Sequence, residues 1–327
     1  MADTLRLTIS VRSQGHTTPL KDGTVALDGI EFEFIEVEPQ IAAYRRMVRD
    51  LEFDVCELAS TTYYIARSHG APYRALPIFF ERKFHHTGLV IRPDAGIAHP
   101  KDLEGKKVGV RAYSVTTGVW TRGVLQNEHG LDCSKVTWVV DDEEHVAQMV
   151  LPPNVEHAPE GQSLADLMAA GELQAGFTAN AGIGRAGPPT EGWSASAKPV
   201  DSYPELISDA KAAEAQWYAR TGILPMHSTL VIRDEILAAR PDVAPRIYRA
   251  FLEAKEIYLK RLQTGEAASK QDEGRRKLMK IVGADPLPYG FAANLASIEA
   301  LKLYAEQQQL MARDVPVDEL FINEASF

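Results

Sequence analysis

Side chains able to hold anions or move protons fall into a few short stretches of the 327-residue chain. The densest is Glu81-Arg82-Lys83-Phe84-His85-His86, with two cations and two imidazoles in six positions. Arginine grips carboxylates through a planar fork, and histidine exchanges protons near neutral pH. In an extended segment successive side chains point to opposite faces, so only one of His85 and His86 can face a ligand. A solvated basic turn is the plain alternative. The two neighbours lack the i, i+4 spacing of a helical zinc pair, so no metal is expected there. His227 follows Gly222-Ile223-Leu224-Pro225-Met226 at the mouth of an apolar strand. It reads either as a satisfied core histidine or as a ligand-facing one. Arg12 and His16, just after the first apolar run, either face a ligand or sit in a solvated loop.

Two turns are rich in hydroxyls: Glu57-Leu58-Ala59-Ser60-Thr61-Thr62 and Arg111-Ala112-Tyr113-Ser114-Val115-Thr116-Thr117. Each precedes a helical pattern, where unbonded backbone N–H groups and the helix dipole attract anions. Plain N-capping would use the same residues. One such turn in each half of the alternating region favours a shared carboxylate site. Trp120 and Arg122 follow the second turn. Trp120 reads as packing or as a wall of that site, and Arg122 as a possible surface charge.

These residues need a scaffold, and the patterning supplies one. Leu5–Val11 and Ile30–Val37 alternate apolar and polar residues, as half-buried strands do. A helix is expected over Pro39–Arg49, a strand over Phe53–Leu58, a helix from Ser60 to about His69, and strands over Tyr73–Phe80 and Thr87–Arg92. The β-α-β-α order implies an α/β fold with a mainly parallel sheet. After Pro93–Pro100 the pattern restarts. It gives strands at Lys106–Arg111, Val136–Val140 and Leu173–Thr178, and helices at Ser114–His129, Asp141–Val150 and Ser163–Ala170. A Gly/Pro/Ser-rich loop between Thr178 and Pro204, a helix over Pro204–Arg220 and a strand over Met226–Arg233 follow. Helices are expected over Ala244–Leu262, Ala267–Val282 and Phe291–Gln308. The late strand suggests that the chain returns to its first lobe. One lobe would then be 1–92 plus 226–327 and the other 93–225, with a ligand cleft between them.

Composition narrows the partners. At 45% hydrophobic and 24% charged the chain is ordinary globular material, and its net charge of −10 disfavours nucleic acid and anionic membranes. No apolar run reaches the ~18 residues of a membrane span. The start, Met1-Ala2-Asp3-Thr4-Leu5-Arg6, lacks a leader pattern, so a cytoplasmic protein is expected. Cys56 and Cys133 form no CxxC pair, and Cys56 reads as a small buried hydrophobe. No GxGxxG, GxxxxGK[ST], GxSxG or HExxH is present, so no cofactor is expected and serine hydrolase chemistry is unsupported. Tyr248, Phe251, Ile257, Tyr258 and Leu262 could serve a homo-oligomer contact, with an intramolecular core the preferred use.

Taken together, certain stretches resemble the 4,5-dihydroxyphthalate decarboxylase family. They are Phe53–Leu58 with Ser60-Thr61-Thr62-Tyr63, and Leu76-Pro77-Ile78-Phe79 running into Arg82–His86. Trp120-Thr121-Arg122-Gly123-Val124-Leu125 with Gly130, Thr221–His227, and Tyr289-Gly290 add to them. Asp102–Val110 is shared more widely with type 2 periplasmic binding proteins. Two places depart from the family pattern: His85 stands where it has Arg, and Arg12–Leu20 lacks its acidic-aromatic run. The resemblance implies a two-lobed, type 2 periplasmic-binding-protein-like fold and decarboxylation of a hydroxylated aromatic acid.

Loss of CO2 from a ring leaves an in-plane carbanion unless the ring carbon is protonated first, and a para hydroxyl can push density there. The expected small aromatic carboxylate would be held by Arg82 with Thr116 and Thr117. Ser60, Thr61, Arg12, Arg111 and Trp120 complete the substrate-binding set. His86, or His85 as second choice, would donate the proton. His227, oriented by Glu57, would hold or deprotonate the phenol. A receptor for a small organic anion, serving an ABC-type transporter, is the alternative on the same fold. A pyrimidine or thiamine-precursor enzyme is a third reading, and the Cys-rich segment it usually carries is absent.

Overall fold

The structure, a computed structural model, describes residues 4–183 and 203–327. Most of the loop expected between Thr178 and Pro204 lies outside the described residues. The chain divides into two compact units, residues 1–83, 221–299 and 313–327, and residues 84–220 and 300–312.

In chain order the first unit starts with β1 (Leu5–Ser10), α1 (Thr18–Lys21), β2 (Ile30–Phe34), α2 (Gln40–Asp50), β3 (Val55–Ala59), α3 (Ser60–Ser68) and β4 (Tyr73–Phe79). There follow β5 (Leu89–Ile91), β6 (Lys107–Gly109), α4 (Thr116–His129), β7 (Thr137–Val140), β8 (Val155–His157), α5 (Leu164–Ala170), β9 (Ala175–Phe177) and α6 (Ala210–Thr221). The chain closes with β10 (Ser228–Arg233), α7 (Asp234–Ala239), α8 (Val243–Thr264), α9 (Lys270–Val282), α10 (Phe291–Gln307) and α11 (Val317–Leu320).

The first sheet runs β2-β1-β3-β10-β4. β1 is parallel to β2 and β3, while β10 runs antiparallel to both β3 and β4. β1 to β4 therefore all end at one edge, where β10 begins. Arg12, Ser60, Glu81 and His227 follow from that geometry as neighbours of the edge. The alternation in β1 turns Leu7, Ile9 and Val11 to a core shared with Leu76, Ile78, Leu230 and Ile232. Ile247, Phe251 and Ala254 of α8, at helical spacing, pack into the same core. Each such side chain contributes about 1.5–3 kcal/mol when fully buried. Tyr258 and Leu262 are likewise buried, so most of the apolar residues of the tail serve an intramolecular core.

The second sheet runs β5-β9-β6-β7-β8, parallel except for β5. β5, expected with the first lobe, pairs with β9 through Leu89 opposite Phe177, and 300–312 also count with the second unit. The helix expected over Asp141–Val150 is absent. The Asp141 and Asp142 amides donate to the Arg111 carbonyl (3.2 and 2.9 Å), and the Glu144 carboxylate is bound to the turn at 113–114. Acidic side chains here are held by partners about 30 residues earlier in the chain, at the expense of a helix. β8 and α7 were not anticipated, and α6 starts at Ala210, not Pro204. Arg122, expected as a possible surface charge, is fully buried against the rings of Tyr113 (4.1 Å) and Trp138 (5.0 Å), with Nε donating to Gln308 at 2.7 Å. Among the described residues no helix is long and apolar enough to cross a membrane.

Candidate active site

At the strand-end edge of the first unit, Glu57 is the hub. Its carboxylate is fully buried and accepts from Arg12 Nη2 (2.5 Å) and Nε (3.0 Å), the Arg12 amide (3.1 Å), Tyr44 Oη (2.9 Å) and Ser228 Oγ (2.7 Å). Burial alone would raise its pKa, but the Arg12 charge and hydrogen bonds from Arg12 and Ser228 hold it below the usual carboxylate range. Glu57 is thus a fixed anion and not a proton carrier. Arg12 also links it to Glu81, which Arg12 Nη1 reaches at 3.1 Å.

His227 lies beside this hub. Its amide donates to the Glu81 carbonyl (3.0 Å), and its carbonyl accepts from the Ser60 amide (2.9 Å). Burial pushes the imidazole pKa well down, against the pull of Glu81. Burial would raise Glu81, yet His227, Lys83 and Arg12 outweigh it and keep that carboxylate ionised. A neutral imidazole next to a fixed carboxylate can accept a proton and have the resulting charge matched.

The Ser60 and Thr61 hydroxyls do not cap α3; Ala59 is the N-cap and no side chain bonds there. The Ser60 Oγ is buried with no hydrogen-bond partner among the described residues, so it can donate to a ligand. Thr61 is buried as well. Arg82, expected to hold a carboxylate, gives Nη2 to Asn294 Oδ1 and lies 4.9 Å over the Phe79 ring.

On the second unit, His85 and His86 are both buried, at 2% and 5% exposed. Thr121 Oγ1 donates to the His85 carbonyl (3.0 Å), and the His86 ring meets Trp217 edge-on at 5.3 Å. Burial, then His129, lowers His86 to about 4. Arg111 pairs with Asp142 at 3.0 Å. The turn before α4, read as an anion site, already holds the protein's own acid: Glu144 accepts from the Tyr113 amide (2.6 Å), the Ser114 amide (3.2 Å) and the Ser114 hydroxyl. Thr116 is buried and Thr117 half-buried at the start of α4, again without side-chain capping. Trp120 is fully buried edge-on to Tyr304 at 5.6 Å, a packing residue.

Tyr44, Glu81, Ser228 and Asn294 were not singled out from the sequence. Glu81 stood in the quoted cluster and could have been found as an acid two places from Lys83. The sheet register brings Ser228 beside Ala59, Tyr44 reaches the hub from α2, and Asn294 of α10 accepts from Arg82. Among the described residues no three His, Cys, Asp or Glu side chains are grouped to hold a metal ion.

The fold and this strand-end cluster define a class before they define a family. A family model described as NMT1/THI5 like matches residues 26–175. The fold is periplasmic-binding-protein-like: it resembles the periplasmic sulfonate-binding protein SsuA from Methylobacillus flagellatus KT, with a TM-score of 0.54 at 12% identity, over 99% of this chain and 94% of that one. Within the class the sequence is more particular. A 4,5-dihydroxyphthalate decarboxylase from Comamonas testosteroni is 30% identical over 97% of this chain and 96% of that protein. One from Pseudomonas putida is 36% identical over 65% of this chain and 81% of that protein. The chain belongs to the 4,5-dihydroxyphthalate decarboxylase family.

Proposed function

We propose that the protein catalyses non-oxidative decarboxylation of a hydroxylated aromatic dicarboxylic acid, 4,5-dihydroxyphthalate or a close analogue. The observation that carries this reading is the end-to-end similarity to a protein of that activity. The first unit supports it chemically. His227, neutral at pH 7, is the base that takes the phenolic proton, with Glu81 matching the imidazolium charge. The phenolate raises electron density at the carbon bearing the para carboxylate. That carbon takes a proton, the carbon–carboxylate bond breaks, its electron pair returns to the ring and CO2 departs, so one proton is consumed per turnover. Ser60 Oγ serves as a donor to an anionic oxygen. On the second unit, His86 is the proposed proton donor. It is neutral in the unliganded protein, and a nearby anion would raise its pKa and let it carry the proton.

The likeness to a sulfonate-binding protein favours one other reading, a receptor that binds an organic anion and returns it unchanged. Incubation with 4,5-dihydroxyphthalate, reading CO2 and the decarboxylated phenol, separates the two. Turnover is expected, and His227→Gln and His86→Gln should each lower kcat by about 10²–10⁴. Quantitative recovery of the bound acid would reject the decarboxylase reading.

A further inference from the structure

The first unit holds another polar group that the strand-end hub does not use. His16 is fully buried, and neither ring nitrogen has a hydrogen-bond partner among the described residues. Arg275 on α9, 6% exposed, gives Nη2 to Gln14 Oε1 (2.5 Å) and the Phe80 carbonyl (3.4 Å), while Nη1 has none. The buried Tyr289 hydroxyl also has none.

His16 and Arg275 flank one ring, and Arg275 is the charge Tyr289 feels most. The His16 ring lies 5.8 Å from Phe80 and 6.0 Å from Tyr258, and the Arg275 guanidinium sits 4.9 Å over that same Tyr258 ring. Burial lowers the His16 pKa, and Arg275 is the strongest charge adding to that effect. Arg275 is likewise the leading charge felt by Tyr289, opposing the rise that burial causes. Lys255 lies 4.7 Å over the Tyr289 ring.

The loop that carries His16 is fixed. A Cβ on Gly15 would come within 2.2 Å of the Tyr258 ring, so only glycine lets the loop sit there. Thr17 Oγ1 donates to the Arg12 carbonyl (2.7 Å) and accepts from the Gln14 amide (2.8 Å). The nearby carboxylates are engaged: Asp272 by Tyr258 and Ser269, Asp285 by Lys255, and Glu57 by Arg12. Buried polar groups ordinarily have partners. Here the surplus is of donors, on a guanidinium, a phenol and an imidazole, so the missing partner is an acceptor, and a charged one fits best.

We propose that Arg275, His16 and Tyr289 form a buried subsite for a carboxylate. That the carboxylate belongs to an aromatic diacid rests on the decarboxylase reading above. In the full-length protein, calorimetric titration with phthalate and with catechol tests the subsite. Arg275→Met and His16→Phe should each weaken phthalate binding at least tenfold and leave catechol binding within twofold. Melting temperature of His16→Phe should hold or rise, because an unmatched buried polar group is removed. Arg275→Lys, which keeps the charge and loses the fork, should weaken phthalate by a smaller factor. Phthalate affinity within twofold of wild type in the folded variants overturns the subsite. So does unfolding of Arg275→Met together with unchanged binding by Arg275→Lys, or absence of phthalate binding by the wild type. Tenfold losses in a protein that releases no CO2 would uphold the subsite and reject the decarboxylase reading.

Discussion

Each unit places an arginine beyond its first parallel strand and pairs it with a carboxylate: Arg12 with Glu57, and Arg111 with Asp142. What surrounds the pair differs. Beside Glu57 lie the neutral His227 imidazole and a Ser60 hydroxyl without a partner among the described residues, and donors of Arg275, His16 and Tyr289 in the same unit likewise have none. In the second unit the turn following Arg111 is closed by Glu144, which takes the amides a ligand would need. The same device is therefore open in one unit and filled by the chain's own acid in the other. A helix start rich in Ser and Thr does not by itself mark a binding site; what counts is whether an internal carboxylate already occupies it.

The sharpest way to break that comparison is to neutralise both carboxylates. Glu57→Gln keeps the volume and removes the charge that holds Arg12, Tyr44 and Ser228 together. Breaking a buried pair from one side costs about 3–5 kcal/mol. Asp142→Asn, at a carboxylate that pairs with Arg111 Nη1 (3.0 Å) and lies outside the five-donor hub, should cost clearly less. Urea denaturation of both variants checks this. Equal losses would mean that the two pairs are equivalent and the hub reading of Glu57 is wrong.

A second pair of positions sharpens it. Each unit has a glycine pressed on a tyrosine ring, Gly15 on Tyr258 and Gly123 on Tyr304, with Cβ positions 2.2 and 2.0 Å from the ring. Alanine at either site should destabilise by about 1–3 kcal/mol through overpacking. Only Gly15→Ala should also weaken phthalate binding, because it displaces the loop that carries Arg12 and His16. Melting curves paired with titration calorimetry decide it, and matched binding by the two variants would remove the link between that loop and the ligand.

Much of the fold could be read from the residues because alternation is a local signal. β1, β2 and the helix carrying Ile247, Phe251 and Ala254 follow directly from their apolar spacing. The helix misread over Asp141–Val150 fails for a non-local reason: its acids are recruited by Arg111, Tyr113 and Ser114, some 30 residues earlier. The site was legible in part. Arg12, Glu57, Ser60 and His227 could be suspected from strand ends. Glu57's five donors come from positions 12, 44 and 228, which lie far apart in the sequence and meet only in the folded unit. Arg275 lies inside an amphipathic helix among other basic residues, Arg276 and Lys277, and no spacing sets it apart.

The smallest effect concerns protons. His86, buried and pushed down to about 4, is neutral in the folded protein at pH 5.5, while the unfolded chain, with a histidine pKa near 6.5, is mostly protonated there. The unfolded state then binds more protons, so this group's contribution to stability is present above pH 6.5 and is lost progressively as pH falls toward 4. Between pH 7 and 5.5 the loss is about 1 kcal/mol for one such histidine. His86→Phe should flatten the fall in melting temperature over that interval by the corresponding amount. His227, pushed down to about 4 with the pull of Glu81 already opposing its burial, should contribute a fall of similar size. Melting temperature against pH for wild type, His86→Phe and His227→Phe checks both slopes. A fall from His227 that continues undiminished below pH 4 would show that Glu81 does not match its charge, and would remove the support for His227 as the phenol's base.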